Sequence, residues 1–268
     1  MAINPELLQA VRDRKALLFV GAGLSMNLGL PSFAGLIAQI ATTLDYEPEL
    51  FSSHGDYLAL AEYYELEKGS IGPLRSWMDR EWHKGDIRSS EVHKLVTELD
   101  FPIIYTTNYD SWLERAYTTF GRKFVKISNV GDFVDTAPDV TQIVKFHGDF
   151  EDDASIVLTE SSYFERLNFE SPLDIKLRAD LLGRTVLFIG YSVTDINIRL
   201  LLYKLNQQWR SSKFLREMPK SFIFLTRPNT VQERILSTRG IESIVSDADD
   251  PSEGLKRFLS ELLREVKG

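Results

Sequence analysis

A chain of 268 residues that is 43% hydrophobic and 26% charged has ordinary globular composition, enough for one large domain or a domain with a sizeable insertion. Its formal net charge of −8 and pI of about 5.2 argue against broad, sequence-independent binding to nucleic acid or anionic membranes. It contains no cysteine, which excludes disulfides, thiolate metal sites and a cysteine nucleophile, and removes any need for an oxidising compartment.

The start, Met1-Ala2-Ile3-Asn4-Pro5, lacks a basic segment followed by an apolar one, so no secretory leader is expected. Residues 5–14 read as a short leading helix, with Pro5 acceptable in its first turn. The apolar run Ala16 to Val20 reads as a buried strand, and it opens into Gly21-Ala22-Gly23-Leu24-Ser25. A strand running into Gly-x-Gly and a helix start is a phosphate cradle: glycine lets the backbone approach an anion, and unpaired N–H groups face it. The dehydrogenase version is not met. Its third glycine position holds Met26, and Asp45 and Glu47 follow helix-like sequence instead of a second strand. No Gly-Lys-Ser/Thr follows either, so a P-loop is absent.

Gly29-Leu30-Pro31-Ser32-Phe33 leads into a helix over 32–43, with Leu36, Ile37, Ile40 and Ala41 at helical spacing. Residues 44–99 show no convincing strand. They hold aromatic-rich helical patterns, expected to form a helical insertion or cap within one domain of residues 1–268. Tyr57, Tyr63, Tyr64, Trp77 and Trp82 read as core or an assembly surface. Buried-strand patterns return at 101–106, 123–127, 141–146, 185–189 and 221–225. Helical patterns lie at 109–119, 172–182, 195–208, 230–238 and 252–265, with loops at 128–140 and 244–252. This alternation predicts an α/β fold, a Rossmann-like doubly wound parallel sheet. No apolar run approaches the ~20 residues of a membrane helix. The histidines His54, His83, His93 and His147 show no metal-ligand spacing, and no metal is expected.

Three more motifs sit at or just after strand ends: Thr106-Thr107-Asn108-Tyr109-Asp110, His147-Gly148 and Gly190-Tyr191-Ser192. Open α/β sheets bind ligands at those ends. Each residue also has a plain structural reading. Asn108 and Asp110 suit the cap of a helix beginning near 109, and His147 suits a satisfied core histidine. Phe33 suits the core. Ser192-Val193-Thr194-Asp195 suits a capping box, with Asp195 as helix N-cap.

Taken in order, the five motifs resemble the sirtuin (Sir2-like) family from about residue 16 to about residue 200. The wording of Tyr105 to Asp110, of Val157-Leu158-Thr159-Glu160 with Tyr163, and of Gly190 to Arg199 is similar to bacterial Sir2-like domains of antiphage defence. Protein-deacetylating sirtuins carry a four-cysteine zinc module after the His-Gly and an arginine after the Gly-x-Pro-x-Phe phenylalanine. Here there is no cysteine, 36 residues separate Gly148 from Thr185, and Ala34 stands in the arginine position.

The resemblance implies an NAD glycohydrolase that splits the nicotinamide–ribose bond to deplete NAD in antiviral defence, with NAD as substrate and no metal. It implies Asn108 and His147 as catalytic residues, Asn108 positioning water and ribose and His147 acting as base. Gly21, Ala22, Gly23 and Ser25 would meet the diphosphate and nearby ribose. Phe33 and Asp110 would line the nicotinamide end, and Gly190, Ser192 and Asp195 the adenosine half. Uncontrolled NAD cleavage kills the host, so gating by homo-oligomerisation or by a separate ATPase, Argonaute-like or sensor protein is expected, with no direct nucleic-acid or membrane contact and a cytoplasmic location. The alternatives are an NAD-dependent protein deacylase and a non-catalytic NAD- or ADP-ribose-binding regulatory module.

Overall fold

Side chains on successive strand residues point to opposite faces, so a strand buried on both sides must be apolar throughout. Ala16-Leu17-Leu18-Phe19-Val20 meets that demand, and all five residues are buried. The computed structural model describes residues 3–191 and 195–268. Its elements run α1 (Pro5–Arg12), β1 (Ala16–Val20), α2 (Ala22–Ser25), α3 (Phe33–Thr43), α4 (Pro48–Ser52), α5 (Tyr57–Lys68), α6 (Gly72–Trp82) and α7 (Glu91–Glu98). They continue with β2 (Ile103–Thr106), α8 (Trp112–Thr119), β3 (Phe124–Ile127), β4 (Thr141–Lys145), α9 (Glu160–Glu165), α10 (Pro172–Gly183) and β5 (Thr185–Ile189). Last come α11 (Ile196–Ser211), β6 (Ser221–Leu225), α12 (Thr230–Ser237), β7 (Ile241–Val245) and α13 (Pro251–Lys267).

The seven strands form one sheet in the order β3-β4-β2-β1-β5-β6-β7, with every pairing parallel. Strand residues alternate between two cores. Leu18, Val20, Ile104, Ile143 and Leu187 pack with Leu7 of α1, Val96 of α7, Leu113 of α8 and Leu259 of α13. Leu17, Phe19, Tyr105, Val144 and Phe188 pack on the other face with Leu177 of α10, Ile198 and Leu201 of α11 and Leu236 of α12. Helices on both faces of a parallel sheet make the fold Rossmann-like and doubly wound, as expected. Burying each large aliphatic or aromatic side chain contributes ~1.5–3 kcal/mol.

Within residues 44–99 the packing separates two groups. Phe51 of α4, Leu60 and Tyr64 of α5 and Leu74 and Met78 of α6 join Leu36 and Ile40 of α3 in a third core off the sheet. Val92, Leu95 and Val96 of α7 pack instead in the core of the sheet's own helical layer.

Three local expectations are corrected. The stretch 244–252 is not all loop, because Ile241–Val245 adds the edge strand β7 beside β6. Only Ile241 in it is fully buried, so it lacks the unbroken apolar run of the inner strands. The helix expected over 109–119 begins at Trp112, leaving 107–111 as an extended turn at the end of β2. The glycine loop opens into a single helical turn, α2, followed by a 3₁₀ turn over Met26–Leu28. Among the described residues no single helix is long and apolar enough to cross a membrane.

Candidate functional site

The strand order reverses at β1. The chain leaves β1 for β2 on one side and later places β5 on the other, so the connections at the carboxyl ends of β1 and β5 diverge and leave a crevice. Glycines line its floor because two backbones meet there. The Gly21 N–H donates to the Ile189 carbonyl at 3.0 Å and the Gly23 N–H to the Gly190 carbonyl at 2.9 Å. A Cβ on Gly21 would lie 2.5 Å from the Gly190 oxygen, and one on Gly190 would lie 2.5 Å from the Leu24 nitrogen. Gly190 also has φ +58°, a left-handed conformation that favours glycine. Several loop amides are thus already engaged, and one turn of helix carries little macrodipole. The loop is therefore a short turn with its Gly21 and Gly23 amides committed to the β5 end, not a long helix end.

Asn108 stands just beyond β2. Its N–H donates to the Thr106 hydroxyl at 3.0 Å, and its Nδ2 donates to the Gly21 carbonyl at 3.2 Å and to the Ser25 hydroxyl at 3.1 Å. The carbonyl can only accept, which fixes the amide's orientation and leaves Oδ1 toward the cleft. The Ser25 hydroxyl donates onward to Asp110 Oδ2 at 2.9 Å, and Asp110 Oδ1 accepts from the Trp112 N–H at 3.1 Å. The capping reading therefore holds for half of the Asp110 carboxylate and fails for Asn108. Ser25, Asn108 and Asp110 are all buried.

His147 follows β4 and is buried, which pushes its pKa down to about 4 despite the nearby Asp195 carboxylate, which pulls the other way. The ring is neutral at physiological pH. Its Nε2 lies 3.4 Å from Asp195 Oδ2 but makes no hydrogen bond in this geometry. The contact is a neutral imidazole facing a carboxylate, not an ion pair, and the satisfied-core reading fails. Asp195 Oδ1 accepts from the Ile198 N–H at 3.0 Å, making it the α11 N-cap, and Oδ2 accepts from the Tyr163 hydroxyl at 3.2 Å. The Tyr163 ring sits edge-on to His147, with centroids 5.3 Å apart.

These side chains border one cleft of about 1100 Å³, at the upper end of the ~300–1,000 Å³ typical of small-ligand sites. Ala22, Gly23, Ser25, Phe33, Asn108, Asp110, His147, Gly190 and Asp195 all line it. Gly21 lies beneath the floor and reaches the site through its carbonyl on Asn108. Ser192 lies outside the described residues. The cleft crosses the sheet edge from His147 after β4 to Arg227 after β6, four strand steps or roughly 19 Å at ~4.8 Å per step. Such length, with the glycine floor and the orphaned cleft atoms Tyr191 Oη, Trp82 Nε1 and His147 Nε2, fits an extended polar ligand such as a dinucleotide.

Sequence reasoning gave no site role to Tyr163, Tyr191, Arg227 or Ser252 and read Trp82 as core or an assembly surface, yet all five line the cleft. Tyr163 and Tyr191 sat inside motif wording, but Tyr163 lies within α9, away from any strand end, and Tyr191, just after β5, was passed over for the glycine and serine beside it. Arg227 and Ser252 follow β6 and open α13, far in sequence from the glycine loop. Phe33 lines the cleft and also packs edge-on to Tyr57, so its core reading and its site reading coexist. Among the described residues no group of His, Asp and Glu is placed to hold a metal.

A family model described as a SIR2-like domain matches residues 102–244, just over half of the chain. The chain belongs to the SIR2-like domain family. Among relatives of this SIR2-like chain, the NAD(+) hydrolase ThsA of Enterococcus faecium is 32% identical over 197 residues, covering 72% of this chain and 40% of that protein. The NAD(+) hydrolase ThsA of Cytobacillus dafuensis is 31% identical over 202 residues, covering 75% and 40%. The chain thus spans about 40% of the length of these curated relatives. A solved Sir2 homologue–NAD complex shares the fold, with TM-score 0.57, 14% identity and coverage of 99% of this chain and 94% of that one.

Proposed function

We propose that this SIR2-like chain hydrolyses NAD at the nicotinamide–ribose bond, giving nicotinamide and ADP-ribose, and that it does so in antiviral defence. The observation that carries the reading is the convergence of Asn108, Asp110 and His147, from two strand ends, on one cleft floored by the β1–β5 glycines. The names of the ThsA relatives support the same reaction.

Nicotinamide leaves NAD as a neutral molecule from a cationic ring, so the site needs no acid to protonate the leaving group, unlike a site for ordinary glycosides. It needs an oriented water and an environment that tolerates a cationic ribose. Asn108 Oδ1, with its Nδ2 committed to Gly21 and Ser25, accepts from a ribose hydroxyl or the attacking water. The Asp110 carboxylate, fixed by Ser25 and the Trp112 N–H, places negative charge near the developing oxocarbenium, where preorganised charge is most effective. His147, held neutral by burial, takes the proton released by water or a ribose hydroxyl, help of the kind that contributes ~10²–10⁴ in rate. Ala22, Gly23 and Ser25 meet the diphosphate and Gly190 the adenosine half, while Asp195, expected at the adenosine half, stands beside His147.

Helices α3 to α6 cap the nicotinamide end. Activity is gated by self-association or by a separate partner protein, and the protein works in the cytoplasm. The test is nicotinamide release from NAD, without any acyl-peptide, at low and high protein concentration, for wild type, Asn108→Ala and His147→Ala. Release by the wild type that both variants lose supports hydrolysis. Release only when an acyl-lysine peptide is added would replace it with deacylation.

A further inference from the structure

Lys145 is the last residue of β4 and has almost no contact with solvent, its side chain being 1% exposed. Its ammonium donates to the main-chain carbonyl of Asp110 and lies 3.3 Å from Glu114 Oε1 on α8. One buried cation therefore joins three pieces: the strand that delivers His147 two residues later, the turn that carries Asn108 and Asp110, and the first turn of the helix that follows. Glu114 Oε2 is buried with no hydrogen bond, so the pair is not a fully satisfied network.

A buried ammonium is an expensive way to fill space, and an apolar side chain of similar size often serves stability as well or better. Its position points to another purpose. The 107–111 turn has lost the helical hydrogen bonds expected of it, since α8 starts only at Trp112. Contacts from several elements hold it, among them the Thr107 N–H to the Val20 carbonyl at 3.4 Å, the Asn108 amide to Gly21 and Ser25, and the Tyr109 hydroxyl to the Val157 carbonyl at 2.8 Å. The Thr106 hydroxyl accepts from the Asn108 N–H, the His83 ring accepts from the Ser111 N–H at 3.0 Å, and Lys145 grips the Asp110 carbonyl between them. Among the described residues, the Lys145 bond is the one side-chain hydrogen bond that ties this turn to β4. The backbone runs the same way, with the Phe146 N–H donating to the Thr106 carbonyl at 2.8 Å, so Lys145 extends past the strand end a link that the sheet itself can no longer make.

We propose that Lys145 is a positioning residue, a strut that sets the spacing between the Asn108–Asp110 turn and His147. The proposal rests on the catalytic reading of those residues. It does not require Lys145 to touch substrate, and Lys145 is not among the residues lining the cleft.

The experiment compares wild type with Lys145→Met, and with Lys145→Met/Glu114→Gln in case the single variant, which strands a buried carboxylate, fails to fold. Three quantities are read: kcat and KM for nicotinamide release, thermal midpoint, and hydrogen exchange of the 107–111 amides. A misplacement of about 1 Å costs about 10²-fold, so kcat is expected to fall about 10- to 100-fold with KM changed less than about threefold. Exchange at 107–111 should quicken while core strands stay protected. The proposal is overturned if kcat and exchange match wild type, or if kcat falls only in step with a lowered midpoint and general loss of protection. If the wild type binds NAD without cleaving it, kcat cannot be read and exchange at 107–111 decides the strut alone: quickened exchange in the variants with protected core strands supports it, and unchanged exchange overturns it.

Discussion

Asn108 donates a hydrogen bond to the Ser25 hydroxyl at 3.1 Å across 83 residues of sequence, and Ser25 passes the contact on to Asp110. Ser25 thus orders two groups that belong to a different strand's loop. Ser25→Ala leaves the Asn108 amide with one acceptor and strips a donor from a buried carboxylate. An unsatisfied buried polar group costs ~1–3 kcal/mol, so the midpoint should fall by a few degrees. Nicotinamide release should fall by more than about tenfold, because the oriented amide is worth more than the fold energy lost. Retention of kcat within twofold would show that Asn108 is held without Ser25.

Gly190 tolerates nothing larger than hydrogen. Gly190→Ala places a methyl 2.5 Å from the Leu24 nitrogen in a residue already at φ +58°, and only backbone movement relieves it. Strain of this kind costs ~1–3 kcal/mol before the clash is counted. The variant should unfold at markedly lower temperature and lose NAD binding by calorimetry. Gly183 is the control. It ends α10 with open space around its Cβ position, so Gly183→Ala should be neutral or stabilise by ~0.4–1 kcal/mol. Equal effects of the two substitutions would refute the account of the glycine floor.

His147 and His93 are both buried, and burial pushes each down to about 4 from an ordinary 6.5. Unfolded chains take up protons below about 6.5 that the native rings refuse. The stability these neutral rings confer is complete above pH 6.5 and is lost as pH falls toward 4, at up to about 1.4 kcal/mol per pH unit for each ring. Denaturation midpoints measured from pH 7 to pH 4.5 should fall, and His93→Gln should shallow that slope by about one proton. Nicotinamide release should stay level from pH 8 to about 5, because the base is already deprotonated. An activity limb at 6.5 would mean that His147 is solvated in the working enzyme.

The strands of the sheet centre were legible because double-sided burial demands unbroken apolar runs, as in Ala16 to Val20. The edge strand Ile241–Val245 was not, since Glu242 and Ser243 interrupt its pattern where only one neighbour pairs with it. At the site, glycines and strand-end polar residues were readable as motifs. Their connections were not. Nothing in local sequence says that Asn108 turns its amide toward Gly21, that Lys145 spans to Asp110, or that Tyr163 meets Asp195, because each link joins loops that only the strand order brings together. Asp195 was readable as a helix cap, and the fold adds the second role of facing His147.

That double role of Asp195 can be divided by one substitution. Asparagine caps helices as well as aspartate does, and its carbonyl oxygen still accepts from the Ile198 N–H, so Asp195→Asn should leave α11 intact and the midpoint nearly unchanged. What it removes is the negative charge 3.4 Å from His147 Nε2. That charge raises the pKa of the ring, opposing the effect of burial. Without it the imidazole should protonate at still lower pH, read from the Cε1–H chemical shift during an acid titration, and a weaker base should lower kcat. If instead the titration is unmoved and KM for NAD rises several-fold, Asp195 serves the substrate directly and His147 is tuned by burial alone.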